Sequence, residues 1–517
     1  MQKSGYDTKY LSAEEFALQR AKWRQAGQKV SLCHGVFDLL HPGHIAHLEE
    51  AKSIADILVV SITSAPHVNR GPGRPYFPDE LRLKSLAALS CVDYVLLAEY
   101  PTATEMISLV QPDFYVKGKE YEKSADDVTG NIDAEVEQVR EFGGDVYFTD
   151  GVVFSSTKLL NNGFPVFPPG VKEFAKSFAV QHSFAQVREI VESMANLSVL
   201  VIGDIIIDEY VFCGVQGLMS KDRAFSTRYS YEECYMGGSL AIAKHLSNFS
   251  NRVSVCSIIG EDNQLHSRLL NDLARNILLD LHIDKNFKTA VKRRYIERHG
   301  IRSEYEKLFS VNYLFSEEEA KQYDRTAFNE RLKKIVKDYD LIVVADYGHG
   351  LLNEESIDII QNNAKYLALN CQTNSSNFGT NLITKYRRAN VFTLDDRELR
   401  LAYADRTSTS EELLVKLMQH FQGNFGWGTM GSFGSVSVDS ELKTEKFPAL
   451  TLTVQDLIGA GDAFFALVAL GAKVGAPVAV SSFLGNIAGA MAANIVGNSR
   501  SVGKGELLKF ASTILNF

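Results

Sequence analysis

The stretch Lys29-Val30-Ser31-Leu32-Cys33-His34-Gly35-Val36-Phe37-Asp38-Leu39-Leu40-His41-Pro42-Gly43-His44 decides how the first third of this sequence folds. Its opening residues form a short apolar run, Gly35 turns the chain, and the periodicity from His44 to Ala55 predicts a helix. A second apolar run of strand length, Ile57-Leu58-Val59-Val60-Ser61-Ile62, follows. Strand, glycine turn, helix and strand make a βαβ unit, which calls for a parallel sheet. Pro42 and Gly43 separate two histidines and lead into the helix, where free backbone N–H groups and the helix dipole favour phosphate oxygens. Gly43 lets a phosphate approach the backbone, and His41 and His44 can donate hydrogen bonds to charge building on an α-phosphate.

Working outward, residues 12–26 predict a helix capped by Ser12, and 79–90 predict another. Strands are expected at 94–97 and 114–116. The run Asn161-Asn162-Gly163-Phe164-Pro165-Val166-Phe167-Pro168-Pro169-Gly170 is too rich in Asn, Gly and Pro to continue a helix or a central strand. A first domain is therefore placed at 1–162, a linker at 163–182 and a second domain at 183–517. The second domain opens with a helix at 183–194 and a strand from Val199. Further strands are expected at 341–345, 366–369 and 391–393. The expected fold class is α/β, with two doubly wound parallel-sheet domains.

A chain of 517 residues, 45% hydrophobic and 23% charged, has the composition of a soluble globular protein of two to four domains. Its net charge of −9 gives no general electrostatic reason to bind nucleic acid or an anionic membrane. An anionic substrate must then be held by local groups. The 6 cysteines are scattered without a C-x-x-C pair, as expected for reduced thiols in a cytoplasmic protein with neither disulfides nor a zinc site. The first residues lack the apolar stretch of a signal peptide. Val474 to Val496 is uncharged and about as long as a bilayer requires. Pro477, Ser481, Ser482, Asn486 and Asn494 interrupt it, so a buried helix pair is expected there.

The histidine loop resembles the HxGH nucleotidyltransferase superfamily. Gly35-Val36-Phe37-Asp38, Gly73-Arg74-Pro75, Arg82 and Val116-Lys117-Gly118-Lys119-Glu120-Tyr121 fall in the family's order. So does Gly151-Val152-Val153-Phe154-Ser155-Ser156-Thr157-Lys158, similar to its Ser-Thr-Thr helix start. The resemblance implies nucleotide contacts from Gly35, Phe37, Asp38, Gly43, Ser155, Ser156 and Thr157, with Arg82 and Arg74 beside them. It implies catalysis by positioning and charge neutralisation through His41, His44, Lys117 and Mg²⁺. His34 stands where relatives usually carry Asn, Tyr or Asp, which leaves the choice of nucleotide or acceptor open.

Near the other end, Gly459-Ala460-Gly461-Asp462 puts small residues at a helix start, where backbone N–H groups can cup a developing γ-phosphate charge. Asp462 is placed to accept the proton of an attacking hydroxyl. This box resembles the ribokinase-like (PfkB) sugar kinases, which implies a domain with a small β lid. Asp204 with Asp208, and Gly237-Gly238, match the family's substrate strand and di-glycine loop. Asp346-Tyr347-Gly348-His349-Gly350 fits a middle strand end. Glu398, in Asp395-Asp396-Arg397-Glu398, stands where an acid helps hold Mg²⁺ and phosphate. Thr429, Gly431 and Gly434 fit the nucleotide-binding turn, joined by Gly459, Ala460 and Gly461, with Asn486 near the base. Thr289, Lys292 and Arg294 resemble a lid-strand pattern, implying contacts to a substrate phosphate. Ala241 replaces a usual Asn, Ile458 a Thr and Asp395 an Asn. Asn370-Cys371-Gln372-Thr373 replaces the Asp-Pro-Lys-type block of heptose kinases. These departures leave open another sugar or a weakened kinase.

Together the two halves resemble the bifunctional heptose-phosphate kinase/heptose 1-phosphate adenylyltransferases that make ADP-heptose for bacterial lipopolysaccharide. Those enzymes place the kinase first, whereas here the transferase half comes first. The resemblance implies a sugar phosphate and ATP (or another NTP) as substrates, Mg²⁺ as cofactor and a separate phosphatase between the two steps. It is compatible with a homo-oligomer paired through the lids. Three alternatives stay open: a cytidylyl- or guanylyltransferase for another sugar or polyol phosphate, an inactive kinase half, and a non-enzymatic sensor.

Overall fold

The structure, a computed structural model, describes residues 8–119, 132–150, 156–261, 273, 276–299 and 304–517. The chain forms two compact units, one made of Met1–Phe167 with Leu508–Phe517 and the other of Pro168–Leu507.

The first unit is built on β1 (Val30–Gly35), β2 (Ile57–Thr63), β3 (Tyr94–Ala98), β4 (Phe114–Gly118) and β5 (Asp145–Thr149). All pairings are parallel, in the order β3-β2-β1-β4-β5. Side chains alternate across the sheet. Leu32 and Val59 join Phe16, Trp23 and Tyr115 on one face, while Cys33 and Leu58 join Leu48, Val60 and Leu83 on the other. A sheet covered on both faces reads as continuous apolar runs, which is why β1 and β2 stood out in the sequence. Helices Ala13–Gln25, Pro42–Ser53 and Asp79–Ala87 fall where periodicity puts them, and Ser12 forms a capping box with Glu15. The strand order reverses between β1 and β4, the switch point where open α/β sheets bind ligands beyond the strands' carboxyl ends.

The second unit holds β6 (Ser198–Gly203), β7 (Ile205–Leu218), β8 (Phe225–Gly238), β9 (Arg252–Ile259), β10 (Ile277–Ile283), β11 (Ala290–His299), β12 (Glu304–Tyr313), β13 (Leu341–Asp346) and β14 (Leu367–Cys371). It continues with β15 (Val391–Asp395), β16 (Phe425–Thr429), β17 (Ser435–Asp439) and β18 (Thr444–Phe447). Nine strands form one sheet in the order β10-β9-β6-β13-β14-β15-β16-β17-β18, parallel from β10 to β16 and antiparallel beyond. The other four make a separate sheet, β12-β11-β7-β8. The uncharged stretch Val474–Val496 forms one buried helix, Val478–Ala492, where a pair was expected, and the helix Ala460–Lys473 precedes it. Among the described residues no helix is long and apolar enough to cross a membrane.

The segment 163–182 is not a linker. Residues up to Phe167 group with the first unit, and the helix Val171–Gln181 belongs to the second. Phe174 and Phe178, one turn apart, share a face of that helix. Phe178 meets Phe483 at 4.5 Å between ring centroids, and Phe174 meets Phe447 at 5.7 Å. At the far end, Leu508–Phe517 groups with the first unit instead of the second.

Candidate active sites

In the first unit, His41 is the N-cap of the helix Pro42–Ser53, and its Nδ1 accepts the backbone N–H of His44 at 3.2 Å. The two imidazoles stack with centroids 3.8 Å apart and planes 12° from parallel. The Oγ of Ser156, at the start of the helix Ser156–Gly163, lies 3.5 Å from His44 Nε2. The histidine loop and the Ser-Thr helix, distant in sequence, thus meet. Arg70 donates to Thr157 Oγ1 at 3.2 Å. Burial, with His41 and His47 nearby, pushes His44 down to about 4, so the ring is neutral and can donate one proton to a phosphate oxygen. Ser155, Gly151–Phe154, Glu120 and Tyr121 lie outside the described residues.

Several residues expected at the nucleotide make hydrogen bonds and ion pairs within the protein. Arg82 is fully buried and donates to Val36 O, Thr63 O and Asp79 Oδ1, at 2.6, 2.9 and 2.5 Å. Its guanidinium fork satisfies carbonyls at the strand ends. The Asp38 carboxylate accepts the N–H groups of Tyr76 and Phe77, both at 2.9 Å, and pairs with Arg74 at 3.4 Å. It fixes the loop carrying Phe37, whose φ is 47°. Lys117 Nζ sits 2.7 Å from Glu135 Oε2 and over the Tyr115 ring. Burial disfavours its charge, but Tyr115 and Glu135 outweigh that and raise its pKa, so its charge is already countered within the protein. His34, the departing residue, is 2.8 Å from Ser61 Oγ and 3.2 Å from Thr63 Oγ1. Burial, Lys117 and Lys509 push it down to about 3. The hydroxyls that hold it and the Arg70 contact were missed in the sequence, although Ser61 is a polar residue in a wholly buried strand.

In the second unit, a cavity of about 820 Å³ is lined by Asp462, Gly459, Ala460, Gly461, Thr429, Gly431, Gly434, Asn486, Glu398, Asp208, Gly238, Lys292 and Arg294. Gly459 caps the helix Ala460–Lys473 at φ +85°, where an added Cβ would fall 1.8 Å from Asn498 Oδ1. No other residue fits there, so the backbone turn faces the cavity unobstructed. The Asp462 Oδ1 accepts from Tyr347 Oη at 2.9 Å and from Gln372 Nε2 at 3.2 Å. Burial pushes this carboxyl up to about 6. Arg294 pairs with Asp208, and burial lowers the pKa of Lys292. A Cβ on Gly237 would lie 2.3 Å from Asp208 Oδ2, so the di-glycine loop gives that carboxylate its space.

Asp204 is placed elsewhere. Its oxygens accept the backbone N–H groups of Tyr347, His349 and Leu351, at 3.1, 3.4 and 3.2 Å, fixing the turn after β13. Asn486 Nδ2 donates to Ser435 Oγ and Ser482 O. Asp456, three residues before Gly459, was missed in the sequence. Its carboxylate accepts from Tyr210 Oη and Lys307 Nζ, at 2.7 and 2.8 Å, and from the N–H groups of Ile458 and Gly497. It thereby ties β7 and β12 to the glycine loop.

Glu398 accepts the N–H groups of Thr373 and Asp395, and burial together with Asp395 pushes it up to about 8. Asn370 Oδ1, buried in the same wall, has no hydrogen-bond partner. Glu398 and the unanswered Asn370 Oδ1 both line the cavity, and carboxylate and amide oxygens are hard donors of the kind that fit Mg²⁺.

The family model for pfkB carbohydrate kinases matches residues 197–502, and a cytidylyltransferase-like model matches residues 32–162. The chain belongs to the pfkB family of carbohydrate kinases, with a cytidylyltransferase-like N-terminal domain. Both families are transferases of phosphorus-containing groups. The bifunctional protein HldE of Syntrophotalea carbinolica is 36% identical over 154 residues, 29% of this chain and 30% of that protein. HldE of Magnetococcus marinus is 38% identical over 141 residues, 27% of this chain and 28% of that protein. The match thus spans under a third of these relatives' length. Phosphofructokinase-2 of Escherichia coli, with potassium, aligns at a TM-score of 0.49 and 14% identity over 62% of this chain and 99% of that one.

Proposed function

We propose that this chain phosphorylates a sugar phosphate at one site and transfers a nucleotidyl group at the other, making a nucleotide-activated sugar. ADP-heptose is the product of the family both halves resemble, here with the order of the modules reversed. The observation that carries the kinase half is the buried Asp462 carboxyl, held by Tyr347 and Gln372 at the mouth of a glycine-capped helix and pushed up to about 6. Asp462 accepts the proton of the anomeric hydroxyl as that oxygen attacks the γ-phosphate of ATP. The backbone N–H groups from Ala460 onward face the charge on the transferred group, and Lys292 and Arg294 receive the substrate's own phosphate. Mg²⁺ supplies charge neutralisation on the nucleotide phosphates when bound, and Glu398 with Asn370 would hold it.

At the first site, a sugar 1-phosphate oxygen displaces pyrophosphate from the α-phosphate of the nucleotide. The attacking oxygen is already an anion, so no base is needed. His41 and His44 orient the α-phosphate and donate hydrogen bonds to its oxygens, with Ser156 and Thr157 beside it. A separate phosphatase would remove the other phosphate between the steps, and both substrates are small cytoplasmic metabolites.

The test is intermediate-resolved mass spectrometry on the purified chain. Heptose 7-phosphate with ATP should yield a bisphosphate, and heptose 1-phosphate with ATP should yield ADP-heptose and pyrophosphate. Ala241, buried in the helix Ser239–Leu246 after the di-glycine loop, and the cytidylyltransferase-like match of the first unit support a second reading, a different sugar activated with CTP. Parallel arms with CTP and GTP, and with other sugar 1-phosphates, separate the two.

A further inference from the structure

We propose that Lys307, on strand β12, is a positioning residue of the second unit's site, acting through Asp456 on the turn that opens the helix Ala460–Lys473. Its role there rests on the kinase reading, and it lies outside every motif of that half. Asp456 is buried, and its carboxylate has four donors, about as many as its oxygens can accept. Two are main-chain N–H groups that border the glycine turn, those of Ile458 at 3.2 Å and Gly497 at 3.1 Å. Ile458 precedes Gly459, and Gly497 precedes Asn498, whose Oδ1 stands where a Cβ on Gly459 would fall. The carboxylate therefore holds both sides of the turn at Gly459, which lines the cavity.

The other two donors reach Asp456 from the four-stranded sheet, Tyr210 Oη on β7 at 2.7 Å and Lys307 Nζ on β12 at 2.8 Å. Those strands flank β11, which carries Lys292 and Arg294. Arg294 is paired in register with Tyr210, its guanidinium stands over the Tyr210 ring at 5.7 Å, and it is bonded to Asp208. The Ile458 side chain packs against the cluster of Tyr210, Phe212 and Ile296 on the same sheet. One sheet thus carries the cations assigned to the substrate's phosphate and both side chains that fasten the glycine turn.

Lys307 is the exposed end of this link. Its side chain is 43% exposed against 4% for Asp456, and Asp456 is its one partner among the described residues. An ion pair wholly on the surface would contribute little. This one differs because its carboxylate is buried. Burial raises the Asp456 pKa, but Lys307 and Tyr210 outweigh it and hold the carboxyl below its usual range, so the group stays ionised. Without the ammonium, the carboxylate loses its countercharge and its grip on the two N–H groups loosens. Phosphoryl transfer is sensitive to such a shift, since a misplacement of about 1 Å can cost on the order of 100-fold in rate.

The experiment measures ADP release from MgATP and heptose 7-phosphate by the full chain, with Lys307→Met and Lys307→Arg beside wild type. The Met variant should lose about tenfold in kcat, with KM for the sugar phosphate within about twofold, and the Arg variant should recover most of the rate. Amide hydrogen exchange should rise in residues 456–462 of the Met variant and return in the Arg variant, with the nine-stranded sheet unchanged. A raised KM for the sugar phosphate at constant kcat would make Lys307 a substrate contact and overturns the proposal. A fall in Tm with exchange raised throughout the unit, not reversed by Arg, overturns it as well. A wild-type chain that releases no ADP with heptose 7-phosphate or any other sugar phosphate removes the kinase reading and the proposal with it. An active wild type with an unchanged Met variant removes the proposal alone.

Discussion

At the first unit's site the side chains that meet are nearly uncharged. His41 and His44 stack at 3.8 Å, His44 is pushed down to about 4, and the neighbouring Arg82, Arg74 and Lys117 are committed to carbonyls or carboxylates. In the second unit the cavity keeps acids whose protons are held more tightly than usual, Asp462 up to about 6 and Glu398 up to about 8. The contrast follows from the nucleophile each site would use. A phosphate monoester arrives ionised and needs orientation, whereas a sugar hydroxyl must lose a proton and needs a base poised near neutral pH. On the proposed function, one chain would handle phosphoryl chemistry with rings at a helix start and again with a buried carboxyl at a glycine-capped helix.

The largest test of that contrast is Asp462→Asn. Kinase turnover should fall on the order of 10³-fold while pyrophosphate release by the first unit stays unchanged. Equal loss at both sites would abolish the distinction. His44→Ala should do the reverse, lowering transferase kcat about 100-fold, the scale of a lost transition-state hydrogen-bond donor, with kinase turnover intact. Radiolabelled ATP followed into both products reads the two rates in one reaction.

Arg82→Met separates scaffold from ligand contact. The substitution leaves Val36 O, Thr63 O and Asp79 without their donor, and should cost about 3 kcal/mol of stability by chemical denaturation. At a temperature where the variant is folded, KM for the nucleotide should match wild type. A KM rise without loss of stability would return Arg82 to the ligand.

These residues mark how far the sequence could be read. Glycine, histidine and aspartate at fixed spacing announce chemistry because few other arrangements satisfy the backbone, as Gly459 against Asn498 illustrates. The strands were visible because burial on both faces leaves an unbroken apolar run. The partner of a buried charge is set by tertiary contacts instead. Nothing local to Lys117 announces Glu135, and nothing near Asp204 announces the N–H groups of Tyr347, His349 and Leu351. The helix with Phe174 and Phe178 was hidden by the prolines before it. The pairing of Leu508–Phe517 with the first unit has no periodic signal at all.

The smallest effect probes the poise of the base. The Tyr347 hydroxyl and Gln372 amide both favour the ionised Asp462, against the burial that raises it. Removing the hydroxyl in Tyr347→Phe leaves burial less opposed, so the folded pKa should climb further above about 6. A base works only when deprotonated, so wild-type kinase activity should fall as pH drops through about 6. In the variant that acid limb should move to higher pH by up to about one unit, the worth of one hydrogen bond to a charged group. Gln372→Ala, whose bond is longer at 3.2 Å, should move it less. On the proposed roles the transferase makes no use of Asp462, so neither substitution touches a group that sets its pH dependence. Its pH–rate profile should remain unshifted in both variants, and a parallel shift there would show that the two sites do not answer to separate proton carriers.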